Sequence, residues 1–167
     1  SRTVAKNEDG YGNCCSTYAF GAHAAEVEVD PETGQVTILK YVTAHDVGRA
    51  LNISIVEGQI HGGTSMGIGF GIIEEGMVYD RKTGQLLNPS IMSYKAPTTF
   101  DLPNIQSNVV ETIDPDIPLG NKGVGETAEN CAAPVLANAI YDAIGVRIKD
   151  VPITPEKILQ ALKEKKR

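Results

Sequence analysis

The feature that most restricts the fold of this chain is residues 119–126, a glycine-rich loop that ends in the carboxylate of Glu126. Its glycines let the backbone turn tightly and let another group approach it closely. Behind it, apolar residues recur at spacings of three and four over residues 128–143, which predicts a helix with one buried face. We therefore expect Glu126 where a loop meets a helix N-terminus, beside amides that can hold an anion. The simpler alternative is an ordinary helix entry, in which the helix dipole favours an acidic residue.

A second glycine-rich segment, residues 53–75, predicts a helix of unusual composition. One helical stripe carries Gln59 and then Gly63, Gly67 and Gly71, each four residues after the last. A glycine in a helix interior costs about 1 kcal/mol relative to alanine, so this stripe must admit something that a side chain would block. Close packing of the helix on a sheet and close approach of backbone amides to a cofactor both remain open.

The rest of the pattern predicts an α+β fold, with residues 1–167 forming a single domain. Alternating residues around a proline–glycine turn predict a β-hairpin over 18–44, and a shorter hairpin is predicted over 77–87. A strand is predicted over 105–113. Thr154 followed by proline predicts the start of a last helix.

Composition excludes two classes of partner and indicates a compartment. A net charge of -6 argues against nucleic acid, which is bound through clustered lysine and arginine. No apolar run approaches the ~20 residues of a membrane span. Cys14, Cys15 and Cys131 are too few for a disulfide framework or a zinc site. We therefore expect a cytoplasmic protein.

Several common catalytic motifs are absent. Residues 67–71 match neither a dinucleotide fingerprint nor a P-loop. His23, His45 and His61 lack the spacing of a zinc helix, so we expect ordinary polar roles for them. Ser65 lies in a pattern close to a nucleophile elbow, but that elbow needs a strand before it, and here both flanks predict helix. What remains is one well-placed carboxylate and two glycine-rich segments that can present amides to an anionic ligand.

Motifs that run almost the length of the chain give a more specific indication. In order they are AEVEVD (25–30) with TG (33–34), HDVGR (45–49) with LN (51–52), EGQIHGG (57–63), GIG (67–69), YKAPT (94–98) with DLP (101–103), KGVGE (122–126), AAP (132–134), NAIYDA (138–143) and PITPE (152–156). This series resembles the C-terminal part of the molybdopterin-binding large subunit of the molybdenum hydroxylases, the xanthine dehydrogenase and aldehyde oxidoreductase family.

The resemblance implies a role for particular residues. Glu126 matches the family's active-site general base, and Gln59 matches a glutamine that contacts the pterin. The loop that lies against the molybdenum centre in the family maps onto Lys122, Gly123, Val124 and Gly125. It implies no metal ligand from this chain. His61, Glu129 and Asn130 depart from the residues usual in the family, but none replaces a catalytic group.

The implied activity is oxidation of an N-heterocycle of the purine or nicotinate type, or of an aldehyde, with oxygen derived from water. The implied cofactor is molybdopterin, with a [2Fe–2S] cluster and FAD on partner modules. The family's subunit is several times longer, so we expect a fragment or a split subunit that works only with the remainder of the molybdenum subunit and with Fe–S and flavin subunits. Self-association is expected when the chain is isolated.

Two other functions stay open from the sequence. One is a non-catalytic assembly module of such a complex, although the intact Glu126 loop and Gln59 argue against it. The other is a small phosphate- or nucleotide-binding protein that uses the glycine segments alone.

Overall fold

The structure is a computed structural model that describes residues 7–12, 15 and 17–165. A helix over Ile53–Ile68 runs on directly into a π-helical turn, Gly69–Ile73. In chain order the strands and helices are β1 (Gly21–Val29), β2 (Val36–Asp46), α1 (Ile53–Ile68), β3 (Ile105–Val110), α2 (Thr127–Asn130), α3 (Ala132–Ile144) and α4 (Pro155–Lys165).

The strands form one mixed sheet in the order β1–β2–β3. β1 and β2 pair antiparallel across the turn at 30–35, which confirms the predicted hairpin. β3 pairs parallel with β2 after a long connection that contains α1. Such a sheet with helices packed on it confirms the predicted α+β class.

Three clusters of buried side chains hold these layers together. One joins the sheet to the end of α1 and to α3, and another joins α3 to α4. The third lies under the glycine-rich loop, where Val47, Val56, Ile60 and Ala128 pack together. Because those four residues come from α1, α2 and the segment that follows β2, this cluster holds α2 at a fixed distance from α1.

The helix predicted over residues 128–143 is in fact two helices, α2 and α3, with a break at Cys131. Pro134 gives the physical reason. Its ring nitrogen carries no hydrogen, so it cannot donate to the carbonyl of Asn130, and a proline is tolerated only in the first turn of a helix. The break therefore leaves α2 as a single turn that carries Glu126 at its start.

The second predicted hairpin is reduced to one bridge between Tyr79 and Leu86, without strands. The Asp80 carboxylate organises the turn by accepting from the amides of Lys82 and Thr83. The strand predicted over 105–113 ends at Val110. The last helix begins after Thr154 as predicted, and Asn52 caps α1 by accepting from the amide of Ile55 at 3.2 Å.

Cys14 lies outside the described residues, and Cys15 and Cys131 are free thiols. Across the described ranges, every helix is too short or too polar to cross a membrane.

Candidate functional site

The glycine stripe of α1 packs directly against α2 and α3. A Cβ atom built on Gly67 would lie 2.5 Å from the carbonyl oxygen of Glu129 and 2.7 Å from the Cβ of Ala132. One turn earlier, a Cβ on Gly63 would lie 3.2 Å from the Cβ of Ala128. The sequence left two alternatives open for this stripe, and the structure shows close packing. The glycines pack against two helices, α2 and α3, rather than against a sheet.

Gln59 continues the same stripe beyond the packed glycines, one turn nearer the start of α1. A Cβ built on Gly125 would lie 3.6 Å from Gln59 Oε1, and both residues are exposed. Two residues far apart in the sequence are thus brought together, because the close approach of α1 to α2 extends to the loop that precedes α2.

Glu126 is the residue from which α2 begins. Its backbone is at φ -115° and ψ -7°, and its carbonyl accepts from the amide of Glu129 at 3.2 Å. The side chain is exposed and does not cap the helix. The expected position at the junction of loop and helix is confirmed, and the carboxylate remains available to another group.

The loop before Glu126 is open on one side. A Cβ on Gly123 would meet no atom within 4 Å. Within the described part of the chain, the amides of Gly123, Val124 and Gly125 donate no backbone hydrogen bond. The loop therefore offers free donors next to the Gln59 amide and the Glu126 carboxylate.

Lys122 has a different environment from the residues that follow it. Its Nζ donates to Asp46 Oδ2 at 2.5 Å, and both side chains are only 8% exposed. Burial acts to raise the pKa of Asp46, but the hydrogen bonds from Lys122 and from the Gly48 amide outweigh it and hold that pKa below the usual value. The ammonium group of Lys122 is thus occupied by Asp46, while its backbone remains part of the loop.

Asp46 is a residue that sequence reasoning missed. It was visible only as part of the HDVGR motif, without a role. The signal that could have found it is a lone lysine within a glycine-rich loop, since a lysine drawn into a buried segment needs a carboxylate partner.

A second missed cluster lies at the open end of the β1–β2 hairpin. His23 Nε2 lies 2.7 Å from His45 Nε2, and His23 Nδ1 lies 2.8 Å from the Tyr41 hydroxyl. His45 Nδ1 is buried and has no hydrogen-bond partner within the described residues. Burial first, and then the neighbouring His45, lowers the pKa of His23 to about 4. Burial also lowers the pKa of His45. Both rings are therefore neutral at pH 7, which suits a structural contact in the sheet.

Together the loop residues can bind a ligand rich in hydrogen-bond acceptors and hold a carboxylate beside it. Free amides and a glutamine side chain orient such a ligand, while an exposed carboxylate can accept a proton from a group bound within hydrogen-bond reach.

Comparison with known proteins gives the family context. The family described as molybdopterin cofactor-binding domain matches residues 2–103. This range contains Gln59 and Asp46, whereas residues 119–126 lie beyond it.

Individual relatives extend the similarity over most of the chain. The xanthine dehydrogenase molybdenum-binding subunit of Escherichia coli O157:H7 is 39% identical over 142 residues, covering 85% of this chain and 19% of the relative. The crystal structure of quinoline 2-oxidoreductase from Pseudomonas putida 86 matches with a TM-score of 0.81 and 40% identity, over 87% of this chain and 19% of that one. The aldehyde oxidoreductase from Desulfovibrio gigas matches with a TM-score of 0.83 and 32% identity, over 96% and 17%. The chain thus spans about a fifth of the length of these relatives.

Proposed function

Since the chain belongs to the molybdopterin cofactor-binding domain family, of the xanthine dehydrogenase and aldehyde oxidoreductase type, we propose that it forms one wall of a molybdenum-hydroxylase active site. In this proposal Glu126 is the general base, Gln59 contacts the pterin, and the backbone of residues 122–125 lies against the cofactor. Residues 1–167 act as one domain of a larger enzyme.

The residues present fit the proposed cofactor. The space beside Gly123 and Gly125 is the space that side chains would fill, and it is bordered by Gln59 Oε1. Amide donors at 123–125 suit the pterin and phosphate groups, which are rich in acceptors. When bound, the cofactor supplies the two-electron oxidation of the substrate with oxygen derived from water. The meeting of Gln59 with this open loop is the observation that carries the proposal.

The role of Glu126 in this proposal is to accept a proton. Its carboxylate is exposed, is not used as a helix cap, and follows directly on the open loop. A base that must act within hydrogen-bond reach of a bound reactant needs this freedom from protein partners together with a fixed backbone. The proposed substrate is an N-heterocycle of the purine or nicotinate type, or an aldehyde, which is in keeping with the xanthine, quinoline and aldehyde that the relatives' names give.

Partners are part of the same proposal. The irregular segment 74–103 exposes large apolar side chains that an isolated domain would bury: Met77, Val78, Tyr79, Leu87, Ile91, Met92 and Phe100. An exposed apolar patch is typical of an interface, and we assign it to the remainder of the molybdenum subunit. Electrons then leave through Fe–S and flavin subunits. Light scattering of the isolated chain should reveal self-association that disappears when the remainder of the subunit is added.

The central test is Glu126→Gln in the enzyme assembled with the remainder of its molybdenum subunit. Removing the general base should lower turnover of an N-heterocycle or aldehyde by about 10²- to 10⁴-fold. Molybdenum and pterin content should stay at the wild-type level, because the amide occupies the same space as the carboxylate. Steady-state kinetics and metal analysis on the same preparations measure both.

Glu129→Gln is the matched control, since it removes an equal charge from the same helical turn. Its turnover should remain close to that of the wild type. Unchanged turnover in Glu126→Gln would contradict the role as base. Loss of metal together with turnover would make Glu126 a structural residue and favour the non-catalytic assembly module.

A further inference from the structure

We propose that Asp46 and Lys122 are positioning residues for Glu126, because their ion pair fixes the start of the loop that carries it. The consequence for turnover rests on the proposed function of Glu126. The consequence for the loop does not, so the two can be tested separately.

Asp46 connects the loop to the sheet. It is the last residue of β2, and its Oδ2 accepts from Lys122 Nζ at 2.5 Å. Its Oδ1 accepts from the amides of Gly48 at 3.0 Å and Thr112 at 3.3 Å. One carboxylate thus joins three segments, and with 8% exposure little water competes for it.

The backbones of the two loops interlock at the same place. The Lys122 amide donates to the carbonyl of Val47 at 2.8 Å, and the Arg49 amide donates to the carbonyl of Gly120 at 2.8 Å. Gly48 has φ +64°, and a Cβ there would lie 2.3 Å from the Gly120 carbonyl oxygen. The close contact between the two backbones therefore requires glycine at position 48, and it brings Lys122 next to the Asp46 carboxylate.

The other end of the loop is fixed independently. Ala128 is fully buried against the Gly63 position of α1. Between Lys122 and Ala128, Val124 packs partly buried against the cluster that contains Ala128, while the missing side chains of Gly123 and Gly125 on either side of it meet almost nothing. Glu126 is therefore carried on a short span that is held at Lys122, at Val124 and at Ala128, and releasing the Lys122 end lengthens the segment that can move and widens the range that its carboxylate samples.

A buried ion pair is better suited to this role than to raising stability. Taking two charges out of water offsets much of their attraction, so neutral replacements of such a pair are often nearly neutral for folding. The double variant D46N/K122M removes both charges together, and it can therefore release the loop without leaving an unpaired charge in the interior.

The experiment is hydrogen–deuterium exchange on the full chain in three forms: wild type, K122M and D46N/K122M. The reporters are the amides of Lys122 (methionine in the variants) and Arg49, which donate between the two loops. Both should exchange about 10-fold faster in each variant, while β1 and α1 keep their protection. Lys40→Met, which removes an exposed lysine from β2, should change neither reporter.

Unchanged exchange at both reporters in the double variant overturns the proposal. Faster exchange throughout the chain also overturns it, because the pair would then stabilise the fold as a whole. In the assembled enzyme, the double variant should lower kcat by about 10- to 100-fold per bound molybdenum at unchanged KM. If exchange responds as expected but Glu126→Gln leaves turnover intact, the proposed function fails and the positioning of the loop stands.

Discussion

The two glycine-rich segments of this chain lie side by side and use the missing Cβ in opposite ways. On α1, Gly63 and Gly67 are filled positions, where the space of a side chain is taken by atoms of α2 and α3. In the loop, Gly123 and Gly125 are open positions, where that space holds no protein atom or only the end of Gln59. A glycine pattern by itself does not distinguish the two, but the atoms opposite each glycine do.

The difference assigns separate tasks to the two segments. The filled positions draw α1 against α2 so closely that Gln59, on the same stripe, reaches the loop. The open positions then leave room beside Gln59 for something other than protein. Packing in the first segment is thus the cause of the site in the second.

The largest expected effect is at a filled position. Gly67→Ala places a methyl group 2.5 Å from a backbone oxygen, which must move the helices apart. The free energy of unfolding should fall by about 2 kcal/mol or more, measured by urea denaturation. On the same helix, the added methyl group of Gly58→Ala would meet no atom within 4 Å. The free energy of unfolding should therefore rise by about 0.5–1 kcal/mol in this variant. An equal effect of the two substitutions would remove the distinction between filled and open positions.

A medium effect is expected from the histidines next to another filled position, Gly21, where a Cβ would lie 2.6 Å from the His45 ring. The pKa of His23 is lowered from 6.5 to about 4, mainly by burial. The unfolded chain therefore binds a proton more readily than the folded one between these values. This contribution to stability is complete above pH 6.5 and declines as the pH falls toward 4, by about 1–2 kcal/mol after allowance for the solvent that reaches a half-buried ring.

Denaturation at several pH values in that window measures the effect. His23→Gln should flatten the dependence, whereas His61→Gln, which changes an exposed histidine of α1, should keep the wild-type slope. A slope unaffected by His23→Gln would show that the pair does not titrate on unfolding.

The smallest effect on stability is expected at an open position. Gly123→Ala meets no atom of the chain, so its free energy of unfolding should stay within about 0.5 kcal/mol of the wild type. In the assembled enzyme the same methyl group enters the space that we assign to the cofactor, and molybdenum content should fall. Normal molybdenum content together with normal stability would show that the cofactor does not occupy the space beside Gly123.

Local periodicity was sufficient to predict most of the fold. The β1–β2 hairpin, α1 and the last helix follow from short local patterns, and all are present. The break at Cys131 was missed although Pro134 was visible, because an apolar stripe continues through it. The second predicted hairpin failed because each arm was too short to form a strand with a single partner.

The candidate site was less accessible from sequence. The roles of Glu126, Gln59 and residues 122–125 came from the resemblance and remain predictions, although the family itself is confirmed. The Asp46–Lys122 pair and the contact of His23 with His45 depend on which segments meet. For the histidines the register opposes Gly21 to His45 and His23 to Thr43, so the two rings are diagonal neighbours, a relation that appears only once the register is known.

For protein engineering, Lys122 and Ala128 bound a short segment around Glu126 whose sequence can be varied. Lys122 is secured to the sheet and Ala128 to α1, while the positions of Gly123 and Gly125 between them make almost no contact with the rest of the molecule. Sequence libraries confined to positions 123 and 125, with Val124 kept, can therefore vary the shape of the site while the scaffold around it folds unchanged.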